Sequence, residues 1–344
     1  MRRVISLLAC ASAIAGAGLI EDPPSLFAQQ AARGDPALVQ DRLKSVGAQV
    51  FSGAGRIEES IQELKAILAL EPRSAEAHFL LGVAYRAAGS ADLMAEAKAE
   101  LRQALALNPA LVPARLHLAQ AYLDFGQPRR ALEELEAGLA QVPRHPQFLV
   151  LLGETERRLG NPRRSIELTR QALQSDESSG QARYYLALSL LDLDQDAAGI
   201  QELERLVRDG VEQGDVYLTL GAAYLDANRA EDALEILGRG VQLNAARSDI
   251  RIQLAKAYRV KGLLDQADEH LKMAAPDGAA AVTSPYFQYQ QGEADFHLEQ
   301  GLLRMEQGRL KEAAEAFRKV LDKNAEHEQA RRHLAQVQER LRKP

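Results

Sequence analysis

Tryptophan is absent from this chain, cysteine occurs once, and aromatic residues make up only 5% of it against 46% apolar residues overall. Sheet-rich cores draw on aromatic and β-branched side chains, so this scarcity argues against them; alanine and leucine fill the apolar share, as in packed helices. The one cysteine, Cys10, lies in the N-terminal leader, which leaves the remainder without a thiol and without need of a disulfide. There is no excess of positive charge either: 42 basic against 48 acidic residues, dispersed along the chain, give a net charge of −6. A surface without a basic stripe cannot neutralise a phosphate backbone, which excludes nucleic acid as the expected partner.

What the chain has is a ladder. Gly55, Gly89, Gly126, Gly160, Asp194, Asn228, Gly262 and Gly308 follow one another at gaps of 34, 37, 34, 34, 34, 34 and 46 residues. All are residues that tolerate a left-handed backbone in a tight turn. A fixed period of this size marks stacked supersecondary units. Setting the rung at position 15 gives units starting at 41, 75, 112, 146, 180, 214, 248 and 294, with insertions of 3 residues in the second and 12 before the eighth.

Two columns are then uniformly small. Position 8 alternates between Ala and Gly (Gly82, Ala119, Gly153, Ala187, Gly221, Ala255, Gly301), and position 20 is Ser60, Ala97, Ala131, Ser165, Gly199, Ala233, Ala267 and Ala313. Leu81 to Leu254 occupy position 7 in units two to seven, and position 24 is Leu in most units, with Thr169 and Phe317 as variants. Small residues let two helices approach and the large ones fill the space they leave. Each unit is expected to be a helix, a turn and an antiparallel helix. The second unit's insertion, near Ser90 to Met94, reads as a longer turn. The twelve residues before unit eight read as a loop over 276 to 283, followed by a first helix extended at its N-terminus through Ser284-Pro285. Tyr286, Phe287 and Tyr289 on that extension read either as a docking knob or as packing against the neighbouring unit.

These columns resemble the tetratricopeptide repeat. Tyr85, Tyr122, Tyr224 and Tyr258 supply its tyrosine at position 11, Ala104, Ala172 and Ala274 its alanine at 27, and Pro72, Pro109 and Pro143 its proline at 32. The chain departs from the family at position 4, where Lys44, His78, Arg115, Arg183 and Arg251 replace an aromatic anchor. The resemblance implies an all-α, right-handed superhelical solenoid of about eight repeats over 41–344, closed by a capping helix at 328–342. It also implies a concave groove lined by the first helices, at positions 2, 5, 9, 12 and 13. Candidate groove residues are Phe79, Leu116, Val150, Glu154, Arg157, Tyr184, Leu188, Leu191, Leu218, Leu225, Ile252, Lys256 and Arg259. Such a groove would take a helix or an extended peptide, apolar anchors giving affinity and charges setting register. The competing reading of position 5 is burial between adjacent units. The Asn and Lys pattern of a carboxylate clamp is missing.

No catalytic or metal-binding pattern is complete. His327-Glu328-Gln329-Ala330-Arg331 puts arginine where a zinc-protease motif needs its second histidine. Asp192, Asp194 and Asp196 begin like a calcium loop, but Ala197 and Leu203 replace its Gly and Glu. No enzymatic activity and no cofactor are expected, and the partners expected are proteins or peptides.

Arg2 and Arg3, the uncharged run Val4–Ile20 and Ser25-Leu26-Phe27-Ala28 read as an export signal over 1–28, cleaved after Ala28 or Ala17, with a linker over 29–40. The run of 17 residues is shorter than the roughly 20 that span a bilayer. Leu7-Leu8-Ala9-Cys10 resembles a lipobox, which would make Cys10 a lipidation site, although the apolar run continues past it. The expected location is the bacterial periplasm or envelope. An uncleaved anchor, or a cytosolic adaptor or co-chaperone, are the alternatives, as is a recruiting subunit of a separately encoded enzyme.

Overall fold

The protein is described from a computed structural model, which covers residues 36–52, 57–245, 247–274 and 286–343. The leader with Cys10, the first rung Gly55 and the expected loop at 276–283 lie outside these residues.

Among the described residues there are seventeen helices and no strand. They come as eight pairs: α1 Pro36–Ser52 with α2 Ile57–Leu70, α3 Ala75–Ala88 with α4 Ala91–Leu107, α5 Val112–Asp124 with α6 Pro128–Gln141, and α7 Pro146–Arg158 with α8 Pro162–Ser175. Then follow α9 Gly180–Leu191 with α10 Asp196–Arg208, α11 Gly214–Asp226 with α12 Ala230–Leu243, α13 Ser248–Val260 with α14 Leu264–Ala274, and α15 Tyr286–Glu306 with α16 Leu310–Lys323. A last helix, α17 Glu328–Arg342, has no partner after it. The all-α class and the helix-turn-helix unit are as the sequence implies. The chain forms two compact units, one ending at His117 and one beginning at Leu118.

The rungs have a backbone cause. Gly89, Gly126, Gly160, Asp194, Asn228, Gly262 and Gly308 all have φ between 57° and 85°. In six turns the next residue's N–H reaches back to the carbonyl at position 11, as Gln127 to Tyr122 at 2.8 Å and Arg229 to Tyr224 at 2.7 Å. This helix-ending hydrogen bond forms only if the residue before the donor is left-handed, so the period is held by Gly, Asn or Asp.

The small columns have a steric cause. A Cβ at Gly82 would lie 2.7 Å from Leu101, one at Gly221 2.3 Å from Leu237, and one at Gly301 2.5 Å from Phe317. Position 24 therefore sits directly on the position-8 backbone. Thr169 does the same against Gly153 at 2.7 Å and turns its hydroxyl to the Ser165 carbonyl at 2.8 Å, which satisfies a polar group in the core.

Position 4 carries a device of its own. His78 Nε2 lies 3.2 Å from the Pro72 carbonyl, and Arg115 donates to Pro109 O at 3.3 Å. Arg183 donates to Glu177 O at 2.8 Å, Arg251 to Ala245 O at 3.0 Å and Arg331 to Ala325 O at 2.7 Å. Each partner is six residues back, in the turn that joins one unit to the next. The missing aromatic anchor is thus replaced in these units by an arginine or histidine that ties the inter-unit turn.

Two expectations about the insertions meet the structure differently. In unit two the turn is not lengthened: α3 is followed only by Gly89 and Ser90, and the extra residues extend α4 at its N-terminus to 17 residues. Ser90 accounts for this by capping α4, its Oγ accepting from Leu93 N at 3.2 Å. Before unit eight, α15 does begin early, at Tyr286, and runs 21 residues. Arg304, where units with tyrosine pack an aromatic ring, pairs with Asp268 on α14 at 2.7 Å. At the C-terminus α17 buries Ala330 and Val337 and leaves its charges outside, as a cap should.

Candidate functional site: the face of the first helices

From Leu118 onward the first helices α7, α9, α11, α13 and α15 are joined side by side, and the candidate positions 2, 5, 9, 12 and 13 lie on them. Tyr184 donates to or accepts from Thr219 at 3.1 Å, linking α9 to α11, and burial, the main cause, pushes its hydroxyl pKa up. Arg158 donates to the Leu123 carbonyl at 2.7 Å and also pairs with Glu154. Arg157 on α7 pairs with Asp192 beyond α9 at 3.0 Å. Lys256 on α13 lies 3.8 Å from Asp226 of α11. Arg259 pairs with Glu299 and, at 2.7 Å, with Glu306, both on α15. Burial disfavours the Arg259 charge, but the two carboxylates outweigh it and raise its pKa.

This arrangement revises the expected roles. Arg157, Lys256 and Arg259 are engaged in ion pairs between consecutive first helices; they fix the spacing of the face before any ligand arrives. Glu154 is buried at 2% exposure. It faces Tyr185, whose hydroxyl burial and that carboxylate together hold protonated. Val150, Leu225 and Ile252 are buried, and Leu191 points at its own second helix, its side chain 2.8 Å from where a Cβ at Gly199 would stand. Position 12 therefore belongs to the contact within a unit rather than to an open face, because it is one turn beyond the small position 8. What stays partly exposed is Tyr184 and Leu188 on α9 with Leu218 and Ala222 on α11.

In the N-terminal unit, Phe79 is buried and Leu116 half-buried. Phe79 packs edge-on to His117 at 5.5 Å between ring centroids and lies 6.2 Å from Phe51, which is 59% exposed. Phe51 is absent from the candidate set; its signal was an aromatic in the tyrosine column of the first unit. The histidines near the C-terminus hold structural places: His327 Nδ1 accepts from Ala330 N at 3.3 Å, and His333 stacks on Phe317 at 5.6 Å. Among the described residues no group of three or more potential ligands could hold a metal ion, and no helix is long and apolar enough to cross a membrane.

Tetratricopeptide repeat models match residues 113–275 and, separately, 47–112 and 298–344. No curated protein matches the chain. Among solved structures, the Cut9-Hcn1 hetero-tetramer of the APC/C is similar at a TM-score of 0.64 and 12% identity, over 88% of this chain and 56% of that one. A tetratricopeptide repeat protein from Parabacteroides merdae gives 0.48 and 16%, over 87% and 98%. TTC0263 from Thermus thermophilus, a thermophilic TPR protein, gives 0.44 and 21%, over 56% and 98%. Because the tetratricopeptide repeat models together match most of the chain, it belongs to the tetratricopeptide repeat family.

Proposed function

We propose that the protein is a non-enzymatic scaffold that binds partner proteins on the face of its first helices. The observation that carries this is the partly exposed apolar patch of Tyr184, Leu188, Leu218 and Ala222, bordered by ion pairs already formed between the helices. Such a patch offers apolar anchor sites on a frame that need not be ordered at binding. An amphipathic helix or extended segment fits it. The charged-and-apolar leader supports export to the periplasm or envelope, where the scaffold would aid assembly of envelope machinery.

Affinity capture from native membranes with mass spectrometry tests both parts. Leu188→Glu with Ala222→Glu is expected to lose the captured partners while the melting temperature changes little, since both side chains are partly solvated. Retention of every partner would contradict the binding face. Sequencing the N-terminus of the captured chain tests export, which an intact Met1 in a soluble fraction would overturn.

A further inference from the structure

The turns between first and second helices form a row along one edge, and their charges are divided. Residues 123–132 and 157–166, the turns of units three and four, hold six arginines and one aspartate. Residues 191–200 and 225–234, the turns of units five and six, hold six carboxylates and one arginine. Neighbouring turns touch: Arg158 reaches the Leu123 carbonyl at 2.7 Å, and Arg157 reaches Asp192 at 3.0 Å where the two halves meet. Some of these charges are already paired, Arg164 with Glu167 at 2.6 Å and Arg229 with Asp232 at 2.6 Å. Arg129 and Arg163 in one half, and Asp194 and Asp196 in the other, are exposed and have no ion pair among the described residues.

The second helices show the same division. Where α10 and α12 begin with Asp196, Glu231 and Asp232, which suit the positive end of a helix, α6 and α8 begin with no acidic residue and two arginines each. Arginine at that end is unfavourable within the chain. Phe125, 39% exposed, and the half-buried Leu159 and Leu193 lie at the tips of these turns and add apolar surface between the charges.

From this antisymmetry we infer that a second copy of this chain docks on the edge. A two-fold axis through the Arg157–Asp192 seam places units three and four of one copy against units six and five of the other. The same contacts then form twice, as an isologous dimer requires. No separate acidic and basic partners are needed, because one copy supplies both signs. The surface is distinct from the first-helix face, so the two are testable apart.

Sedimentation of the full chain reads this directly. At about 0.05 M salt the chain is expected to sediment at twice its 37.7 kDa mass. Raising salt to about 1 M, where the screening length falls to about 3 Å, is expected to weaken the dissociation constant roughly tenfold or more. Arg163→Glu, and separately Asp196→Arg, which face each other across the axis as units four and five, are each expected to give monomers. Mixing the two variants is expected to restore a heterodimer, which also shows that neither is misfolded. A monomeric wild-type chain at low salt would overturn the inference, even if it bound a polyglutamate peptide. Dimers indifferent to both reversals would overturn it too.

Discussion

Gly221 shows how one missing methyl group sets the distance between two helices. An ordinary alanine in mid-helix would gain about 1 kcal/mol over glycine, yet here its Cβ would overlap Leu237 at 2.3 Å. Overpacking of this kind costs about 1–3 kcal/mol. Gly221→Ala is therefore expected to lower the melting temperature, while Gly238→Ala on α12, whose Cβ would meet nothing within 4 Å, is expected to raise it. Thermal unfolding followed by circular dichroism checks both; a rise for Gly221→Ala would show that Leu237 can move aside. These two glycines look alike as letters. The sequence distinguishes them only through register, because a small residue recurs at Gly221's column in every other unit and Gly238 has no such column. By contrast the tie made by Arg183 was not legible. Its column differs from the family pattern, and a side chain reaching a backbone carbonyl six residues back leaves no complementary letter to find.

At the scale of elements, the joint between α14 and α15 adds charge to apolar packing, with Asp268 and Arg304 paired beside the cluster of Leu271, Phe296 and Leu303. Burial would raise the Asp268 pKa, but hydrogen bonds from Lys272 and Arg304 hold it below the usual value. A depressed carboxylate stabilises the folded state above its unfolded pKa of about 3.9 and loses that contribution as pH falls through the lower folded value. His270 and His297 are lowered mainly by burial. A lowered histidine stabilises fully above its unfolded pKa, about 6.5, and loses the contribution as pH falls below it. Acidification from about pH 7.5 to about 5.5 is thus expected to lower the melting temperature through these histidines, opposed by Glu63 and Asp295, whose carboxyls burial raises, with Asp268 acting only near pH 4 and below. Replacing both with His270→Phe and His297→Leu should flatten the upper part of that profile; an unchanged slope would assign it to other groups. The insertions also belong to this scale. Three added residues near Ser90 have the composition of a turn, and only the cap that Ser90 gives α4 shows that they are helix. The early start of α15 was readable because Ser284-Pro285 is a sequence signal for a helix beginning.

At the scale of the whole molecule, repetition made the fold legible and the binding face only partly so. Position in the repeat says which residues lie on the first helices. It does not say which of their charges are spent on each other: Arg157, Lys256 and Arg259 pair with residues some 30 or more positions away in sequence, on the next or preceding unit. Nor does it separate buried Val150 and Ile252 from partly exposed Tyr184 and Leu218 in the same column, since that depends on the side chains of the neighbouring unit. The face that survives is short, centred on α9 and α11, and its use by a partner is the central claim. Site-specific photo-cross-linking tests it most directly, with the reactive group placed at position 188 on α9 or, as a control, at Glu235 on the outer side of α12. The expected result is a cross-linked partner from position 188 and none from 235. Equal capture from both positions, or capture from 235 alone, would contradict it.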